Sequence, residues 1–533
     1  LQDDFATRVE EDLKVDAAKL LLTINQILTV KEGVIIAATG AELELNNNAQ
    51  LIQIDEVDTN VGTNFKLKRL AFVNAQDYVY WSSPVFGFDV GLIPTQQRYF
   101  WNPIFANTNG TVGNWNGATG ANAIMSVGKG YIVNCGSGFP IHGSVPGNLE
   151  TNFAGRPNNG TLTSTIQRGT NGASIDDNWN LVGNPYPSAI FAEEFLDANV
   201  DKINGSVWVW THGHAPDNAT DPYYDNFAAN YYATDYLKYN KLGATDTTFN
   251  GIIASGQGFM VNMLNTTPST SETVTFTNAM RTDATATPYN NAGFYRTANT
   301  NLTVANPEEK HRIWLSIINT AVGQKESALL GYSANSTLAA DHFYDCIYVP
   351  RTEVGIYTLV NTGEYVIQGR PLPFLDSDLV PMGVKIVTAG SHKIAIKKVD
   401  GLFEGNQGIY LEDTVLGIVH DLKAAPYTFT SEVGVFNSRF IVRYTPSALS
   451  NDDFDSLDNN VFVSTQSTDV SIKSANELMS SVLVYDILGR ELVRKNNINA
   501  NDITLPNVSA VNQALIVKIT LENGQVVTRK IIL

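Results

Sequence analysis

Cysteine is nearly absent: the 533-residue chain has two, Cys135 and Cys346. Two thiols so far apart build neither a disulfide framework nor a metal-type spacing, and one bridge is the most they offer. A chain of this length buries enough apolar surface without staples, so the scarcity does not point to the cytosol. Positive charge is scarce as well. There are 35 Lys and Arg against 53 Asp and Glu, a net charge of −18, and only 17% of residues are charged. Phosphate backbones and anionic membranes are held by clustered cations, so neither nucleic acid nor an anionic membrane face is expected as a partner. No run of about 18 apolar residues occurs, which leaves no helical membrane span to expect. The opening Leu1-Gln2-Asp3-Asp4-Phe5 has neither the basic nor the apolar part of a signal peptide. If the chain is exported, its leader is expected upstream of this segment.

What the chain has in quantity is Asn, Thr, Ser and Gly, residues that favour turns and strands over exposed helices. Its length suggests three or four domains at roughly 150 residues each. Across 13–54 the apolar pairs Leu20/Leu22, Ile27/Val30, Val34/Ile36, Leu43/Leu45 and Leu51/Ile54 recur at tight spacing. This pattern predicts the coils of a β-solenoid or a strand-rich cap over 1–65. An opening helix competes, because Phe5, Val9, Leu13 and Ala17 fall four apart.

Residues 66–300 alternate aromatic strands with Gly/Asn/Pro turns. Tyr78-Val79-Tyr80-Trp81 reads as a strand covered on both faces, and Gly128 to Val133 and Gly256 to Val261 read as equivalent strands, each after a glycine turn. Gly183-Asn184-Pro185-Tyr186-Pro187-Ser188 is a stiff turn, with Ser188 as the expected N-cap of a short helix carrying Phe191 and Phe195. Residues 301–446 end in a strand with Phe440, Val442 and Tyr444 on one face and Arg439 and Arg443 on the other, a half-buried pattern with a wet side. An ion pair between Glu412 or Asp413 and Arg439 is the alternative. The run 447–460 is a polar, acidic linker.

The expected fold class is all-β. It comprises a β-solenoid-like N-terminal cap, jelly-roll-like β-sandwiches over 66–300 and 301–446, and an Ig-like sandwich over 461–533. In that last domain Asn523-Gly524 signals a hairpin. A strict two-residue loop would set Lys518 across from Arg529, and opposed like charges are destabilising, so a longer or bulged loop is expected.

Signatures of catalysis were sought through their chemistry. No Gly-x-Ser-x-Gly elbow, His-Glu-x-x-His helix or P-loop occurs, so no enzyme is expected. Thr211-His212-Gly213-His214, with Asp217 and Asp221, is the most metal-like cluster, since imidazoles two apart on a strand can face one ion. A plain loop edge is the competing reading. Asp452-Asp453-Phe454-Asp455 offers hard oxygens to Ca²⁺ but lacks the Gly and Glu of an ordered loop. No cofactor is expected, Ca²⁺ being the one candidate. Trp208 and Trp210 share a strand face, with Trp115, Tyr223, Tyr224, Tyr231, Tyr232 and Tyr236 nearby in sequence. Exposed, they would stack on glycans; buried, they are core.

The tail 482–490, Val-Leu-Val-Tyr-Asp-Ile-Leu-Gly-Arg, with Asn512-Gln513-Ala514-Leu515-Ile516-Val517-Lys518, Leu521-Glu522-Asn523-Gly524 and Lys530-Ile531-Ile532-Leu533, resembles the C-terminal sorting domain of type IX secretion system cargo of Bacteroidota. Gln513-Ala514-Leu515 stands where the commoner version has Gly-Val-Tyr, so the tail is similar to the variant called type C. Upstream, Tyr80-Trp81-Ser82-Ser83-Pro84-Val85, 183–190, His311-Arg312-Ile313-Trp314-Leu315, Gly369-Arg370-Pro371-Leu372-Pro373-Phe374 and Tyr410-Leu411-Glu412-Asp413 resemble the module before such tails in large flavobacterial adhesin-like surface proteins. The resemblance implies the C-terminal part of an exported cell-surface protein. Its partners would be the type IX translocon, with an outer-membrane carrier barrel, and surface glycans. Val484, Tyr485, Gly489, Arg490, Val517, Lys518, Asn523, Gly524 and Lys530 are the candidate recognition residues, on strands and loops that can dock by β-augmentation. A carbohydrate-binding surface protein using Trp208 and Trp210, and a secreted hydrolase, are the alternatives.

Overall fold

Three short strands make each coil of an N-terminal parallel solenoid. Ala6–Val9, Ile27–Val30 and Gln50–Gln53 stack on one side. Leu13–Val15 stacks on Val34–Ile36, and Lys19–Leu22 on Glu42–Leu45 and then on the start of Phe65–Val73. Partners are 21 to 23 residues apart, as in Ala6 with Ile27 and Lys19 with Glu42. Asn25 and Asn48 take the same left-handed turn in successive coils, φ 67° and 66°, a conformation asparagine tolerates. Leu28, Val30, Val34, Leu43 and Leu45 fill the interior. No helix opens the described chain; Val9 and Leu13 lie on consecutive strands. The computed structural model describes all residues except 1–5, 38, 58–59, 96, 109–111, 171–176, 216–234, 294–307, 324, 350–353, 447–460, 467, 475–476, 509–512, 523, 525 and 533.

The boundary expected at residue 65 is not a joint. Phe65–Val73 starts as a solenoid strand and pairs antiparallel along its length with Gly147–Pro157. Beyond it, a four-stranded sheet contains Gln97–Ala106, Tyr131–Asn134 and Tyr78–Trp81, and a five-stranded sheet contains Trp179–Gly183, Gly258–Met263 and Ile203–Trp210. Backbone bridges from Trp81 to Gln257 and Lys129 to Val182 link them. All four residues of Tyr78–Trp81 are buried. Gly128 and Gly256 both take left-handed turns (φ 69° and 74°) ahead of their strands, which a side chain would strain.

Residues 310–443 form one long curled sheet around a single core. Asp413, near one end, accepts a 2.8 Å hydrogen bond from the Tyr427 hydroxyl, on the strand at the other end. Arg439 and Arg443, expected on a wet face, are buried. Arg439 pairs with Asp413 at 2.8 Å and Arg443 with Glu412 at 2.6 Å, across adjacent strands of the same sheet. Low local polarity makes such charges tolerable only when matched. Burial alone would raise the Asp413 carboxyl, but hydrogen bonds from Arg439 and Tyr427 outweigh it and hold the group below the ordinary aspartate range. Its stabilisation is therefore present above about pH 4 and lost as pH falls through the lowered folded value.

Leu1–Tyr444 forms one compact unit, so the boundary expected at 300 does not separate compact units either. Trp314 Nε1 donates to the Ala244 carbonyl at 2.7 Å and Arg312 to the Leu242 carbonyl at 2.8 Å across it, and the boundary at 65 is crossed by Arg281, 0% exposed. Its guanidinium donates to Ser188 Oγ (2.7 Å), to Asn159 Oδ1 and Asn278 Oδ1 (3.2 Å each) and to the Leu51 carbonyl of the solenoid. It also lies 4.8 Å from the Tyr186 ring centroid. Ser188 thus receives Arg281 rather than capping the helix; Ala192–Ala198 starts later, with Phe191 at its N-cap.

Thr445–Leu533 is the second unit. Val461–Gln466, Asp469–Ser474 and Asp502–Leu505 make one antiparallel sheet; Glu491–Ala500, Met479–Asp486, Ala514–Leu521 and Val526–Ile532 make the other. Val470, Val482, Val484, Leu505, Val517 and Ile519 fill the core between them, an Ig-like arrangement. Lys518 faces Thr528 and Arg529 faces Val517, the one-residue shift that a longer loop produces.

Replacing Arg281 with Met removes the donor from four buried neutral oxygens. We expect a loss of roughly 3–5 kcal/mol, the scale of a broken buried charged network, confined to the unfolding transition of the first unit in calorimetry or denaturant titration.

Candidate functional site

Trp208 and Trp210 are not a platform. They are 5% and 2% exposed, because Ile203–Trp210 pairs on both edges and the rings pack into one core while Val207 and Val209 pack into another. Trp210 Nε1 donates to the Tyr78 carbonyl at 3.0 Å, and its ring stacks on Tyr80 at 5.9 Å. Trp208 meets Trp179 edge-on at 4.7 Å. Trp115 is buried against Trp101. Tyr236 is half-buried, its hydroxyl 2.5 Å from that of Tyr80. Tyr223, Tyr224, Tyr231 and Tyr232 lie outside the described residues. Glycan stacking on an exposed Trp208–Trp210 face is therefore replaced by a core role.

The two histidines of Thr211-His212-Gly213-His214 diverge. His212 is buried, with Nε2 3.1 Å from the Phe72 carbonyl and 3.9 Å from Asp77, whereas His214 Nδ1 sits 2.7 Å from Asp235. Among the described residues no group of three or more His, Cys, Asp or Glu gathers around a common point. Asp217, Asp221 and the Asp452, Asp453 and Asp455 run lie outside them. Cys135 and Cys346 are separate buried thiols, and burial pushes the Cys346 thiol up to about 11.

Within the second unit, the candidate recognition residues divide. Val484 and Val517 are cross-strand partners in the core. Tyr485, Ile516 and Lys530 form one row across three strands, and Leu483, Lys518 and Thr528 form the next. Lys518 and Lys530 are exposed and Tyr485 half-exposed. Gly489 (φ 78°) and Arg490 are in the turn after Met479–Asp486, where Arg490 reaches Asp486 at 2.7 Å. Gly524 (φ 86°) is in the turn after Ala514–Leu521. These turns lie at opposite ends of the sheet, since Asp486 pairs with Leu515 and Met479 with Leu521. Asn523 is outside the described residues.

Sequence reading missed two clefts in the first unit, because each is assembled from distant segments. The smaller, about 200 Å³, is lined by Trp179, Asn204, Asp341, His342 and Asp345 among others. Burial raises the Asp345 carboxyl to about 7, against the opposing pull of the Asp341 and Gly369 backbone N–H groups. Burial likewise raises Glu194 to about 7. That carboxyl lies elsewhere, on the short helix Ala192–Ala198, with Oε1 accepting from Tyr289 at 3.1 Å and Oε2 without a hydrogen-bond partner among the described residues.

The larger cleft, about 600 Å³, opens between Gln97–Ala106 and Leu162–Gln167, within the ~300–1,000 Å³ range of small-molecule sites. Strand alternation turns Phe100 and Asn102 one way, and Ile104 joins the lining beyond a break in register after Asn102; Thr163, Thr165 and Gln167 likewise share a face. Asn180 fixes the rim by exchanging two 2.8 Å hydrogen bonds with the backbone of Gln167. Lys129 brings its ammonium 4.4 Å from the Phe100 ring centroid. Among the described residues it is the only charged one in the lining.

These features define an all-β chain of two units with a lined cleft in the larger. The chain belongs to the family described as a domain of unknown function, DUF8693, whose model matches residues 4–444. Residues 449–533 match a second model, likewise described as a domain of unknown function, DUF8694. No curated protein matches the chain. Among solved structures, a polysaccharide lyase is 9% identical over 42% of this chain, with a TM-score of 0.12; the chain spans 39% of that protein. Tp47, the 47-kilodalton lipoprotein of Treponema pallidum, is 8% identical over 70% of this chain and 100% of its own, with a TM-score of 0.13. Scores this low carry no argument about either fold or activity.

Two outcomes follow. Trp210→Ala should cost about 3–5 kcal/mol as a core truncation, read by denaturant unfolding, whereas an exposed stacking residue would leave the midpoint in place. Glu194→Gln should stabilise the chain at pH 8 and lose that advantage by about pH 4. The folded carboxyl is raised above its unfolded value, so its contribution is complete below about 4.3 and is lost as pH rises toward 7. Melting temperatures of both proteins across pH 4–8 check the sign.

Proposed function

We propose that the chain is the C-terminal part of a secreted, cell-surface binding protein without catalytic turnover, exported through the type IX secretion system by its terminal unit. The observation that carries this reading is the independence of Thr445–Leu533, which has its own two sheets and its own core. An address read by transport machinery has to fold whatever precedes it. The row of Tyr485 and Lys530, with Lys518 beside it, offers a carrier a mixed aromatic and cationic face. The two turns holding Gly489, Arg490 and Gly524 offer backbone groups for docking.

The second reading is a carbohydrate-binding surface protein. The larger cleft favours it, for its walls carry uncharged hydrogen-bonding side chains beside an aromatic ring.

Deletion of 461–533, followed by fractionation of the producing cells, tests export. The truncated chain is expected in the periplasm, and undiminished surface display would reject the reading. Lys518→Glu combined with Lys530→Glu should reduce surface display several-fold while the purified protein keeps its melting temperature, because both side chains are exposed. Unchanged display of this variant would remove the cationic face from the account.

A further inference from the structure

Lys129 stands apart from other shielded cations of the first unit, which are met either by acids or, as at Arg281, by several neutral oxygens. Lys238 has Glu326 at 3.5 Å, Lys310 has Glu193 and Glu308 at 3.6 and 3.4 Å, and Arg439 has Asp413. Among the described residues Lys129 has no acidic partner and no side-chain hydrogen bond; its neighbour is the Phe100 ring. Burial pulls its ammonium below the ordinary lysine range, the direction expected when desolvation is left uncompensated. Among the described residues the Thr163 and Thr165 hydroxyls and the Gln167 side-chain amide likewise make no hydrogen bond, and Asn102 Nδ2 has no acceptor. Hydroxyls and amides both donate and accept, matching a ring of sugar hydroxyls, while Phe100 and Ile104 present apolar surface to C–H faces. Threonine and glutamine two residues apart along the strand repeat this pattern at roughly 6.7 Å.

We propose that this cleft is a binding site for a hexuronate unit of an acidic polysaccharide, with Lys129 taking the carboxylate and Asn102, Thr163, Thr165 and Gln167 the ring hydroxyls. The proposal deepens the carbohydrate-binding reading and rests on it; it is independent of export. A carboxylate within reach of Lys129 completes a charge-assisted hydrogen bond that the fold leaves open. Among the described residues the lining holds no acidic side chain to repel the anion.

The test is calorimetric titration of the full chain with a galacturonate trisaccharide, with its methyl ester and with inorganic phosphate. The acid is expected to bind at least tenfold more tightly than the ester, about 1.4 kcal/mol, with phosphate failing to compete. Lys129→Met should abolish the difference by weakening the acid alone. Gln167→Ala, which leaves the cation in place, should weaken acid and ester together and so reads the site without the charge; melting temperatures confirm that both variants fold. Equal binding of acid and ester overturns the uronate assignment and keeps a carbohydrate site. Binding of neither sugar overturns both, and phosphate competing at trisaccharide concentrations reduces the cleft to a simple anion hole. None of these results bears on export, which the fractionation experiment reads separately.

Discussion

The first unit depends on a buried arginine with no carboxylate within ion-pair distance among the described residues. Arg281 holds its charge with neutral oxygens, from the solenoid at Leu51, from Asn159 and Asn278, and from Ser188 in the Pro-rich turn, under the face of Tyr186. Burial lowers its pKa only to about 10, so the guanidinium stays charged at neutral pH. An acceptor left with no donor in the interior costs about 1–3 kcal/mol; of the four, Asn278 Oδ1 also receives the Gly160 N–H at 3.3 Å. The solenoid is thereby fastened to the neighbouring sheets by a network in which every member needs the others. A chain divided at residue 65 would expose both halves of that network.

The same logic explains the composition. With few charges to spend, the fold satisfies its buried backbone with amides. Asn184 donates to the carbonyls of Ser188, Ile253 and Ala254; Asn158 to those of Ser83 and Pro185; Asn199 to those of Phe195 and Thr275. An amide offers both donors and an acceptor without the desolvation penalty of an ion. Irregular turns can therefore be packed inside rather than left on the surface. Where charge does enter the core, as in the curled sheet, it comes in matched pairs: Asp413 takes Arg439 from the same sheet end and Tyr427 from the opposite one, so one carboxylate helps bring the two ends together.

Local regularities were legible in the sequence, and facing partners were not. The apolar pairs from Leu20 to Ile54 gave away the coils because a solenoid repeats its own neighbours. The opposed charges of Lys518 and Arg529 argued correctly for a shifted hairpin, since register follows from loop length. Trp208 and Trp210 were rightly put on one strand face, yet periodicity says nothing about what covers a face, and here Tyr80 and Trp179 do. Arg439 and Arg443 followed the alternation of an exposed side but met carboxylates from another strand, and for Arg439 the alternative ion pair with Glu412 or Asp413 is the arrangement found, at Asp413. Ser188 looked like a cap because its role depends on Arg281, more than ninety residues away. The larger cleft was invisible for the same reason: segments near 100, 129 and 165 meet only in the folded chain.

The contrast between Arg281 and Lys129 separates structure from site. Neither has a carboxylate within ion-pair distance among the described residues. Arg281 nonetheless has four oxygen acceptors that the fold supplies, so its role is complete within the protein. Lys129 has a ring and open space. A fold selected for stability alone would remove a half-buried, unmatched ammonium or provide it with an acid, as it does for Lys238 and Lys310. Local rules of this kind are broken at the places where a protein meets something else, and the walls around Lys129 are polar enough to receive it.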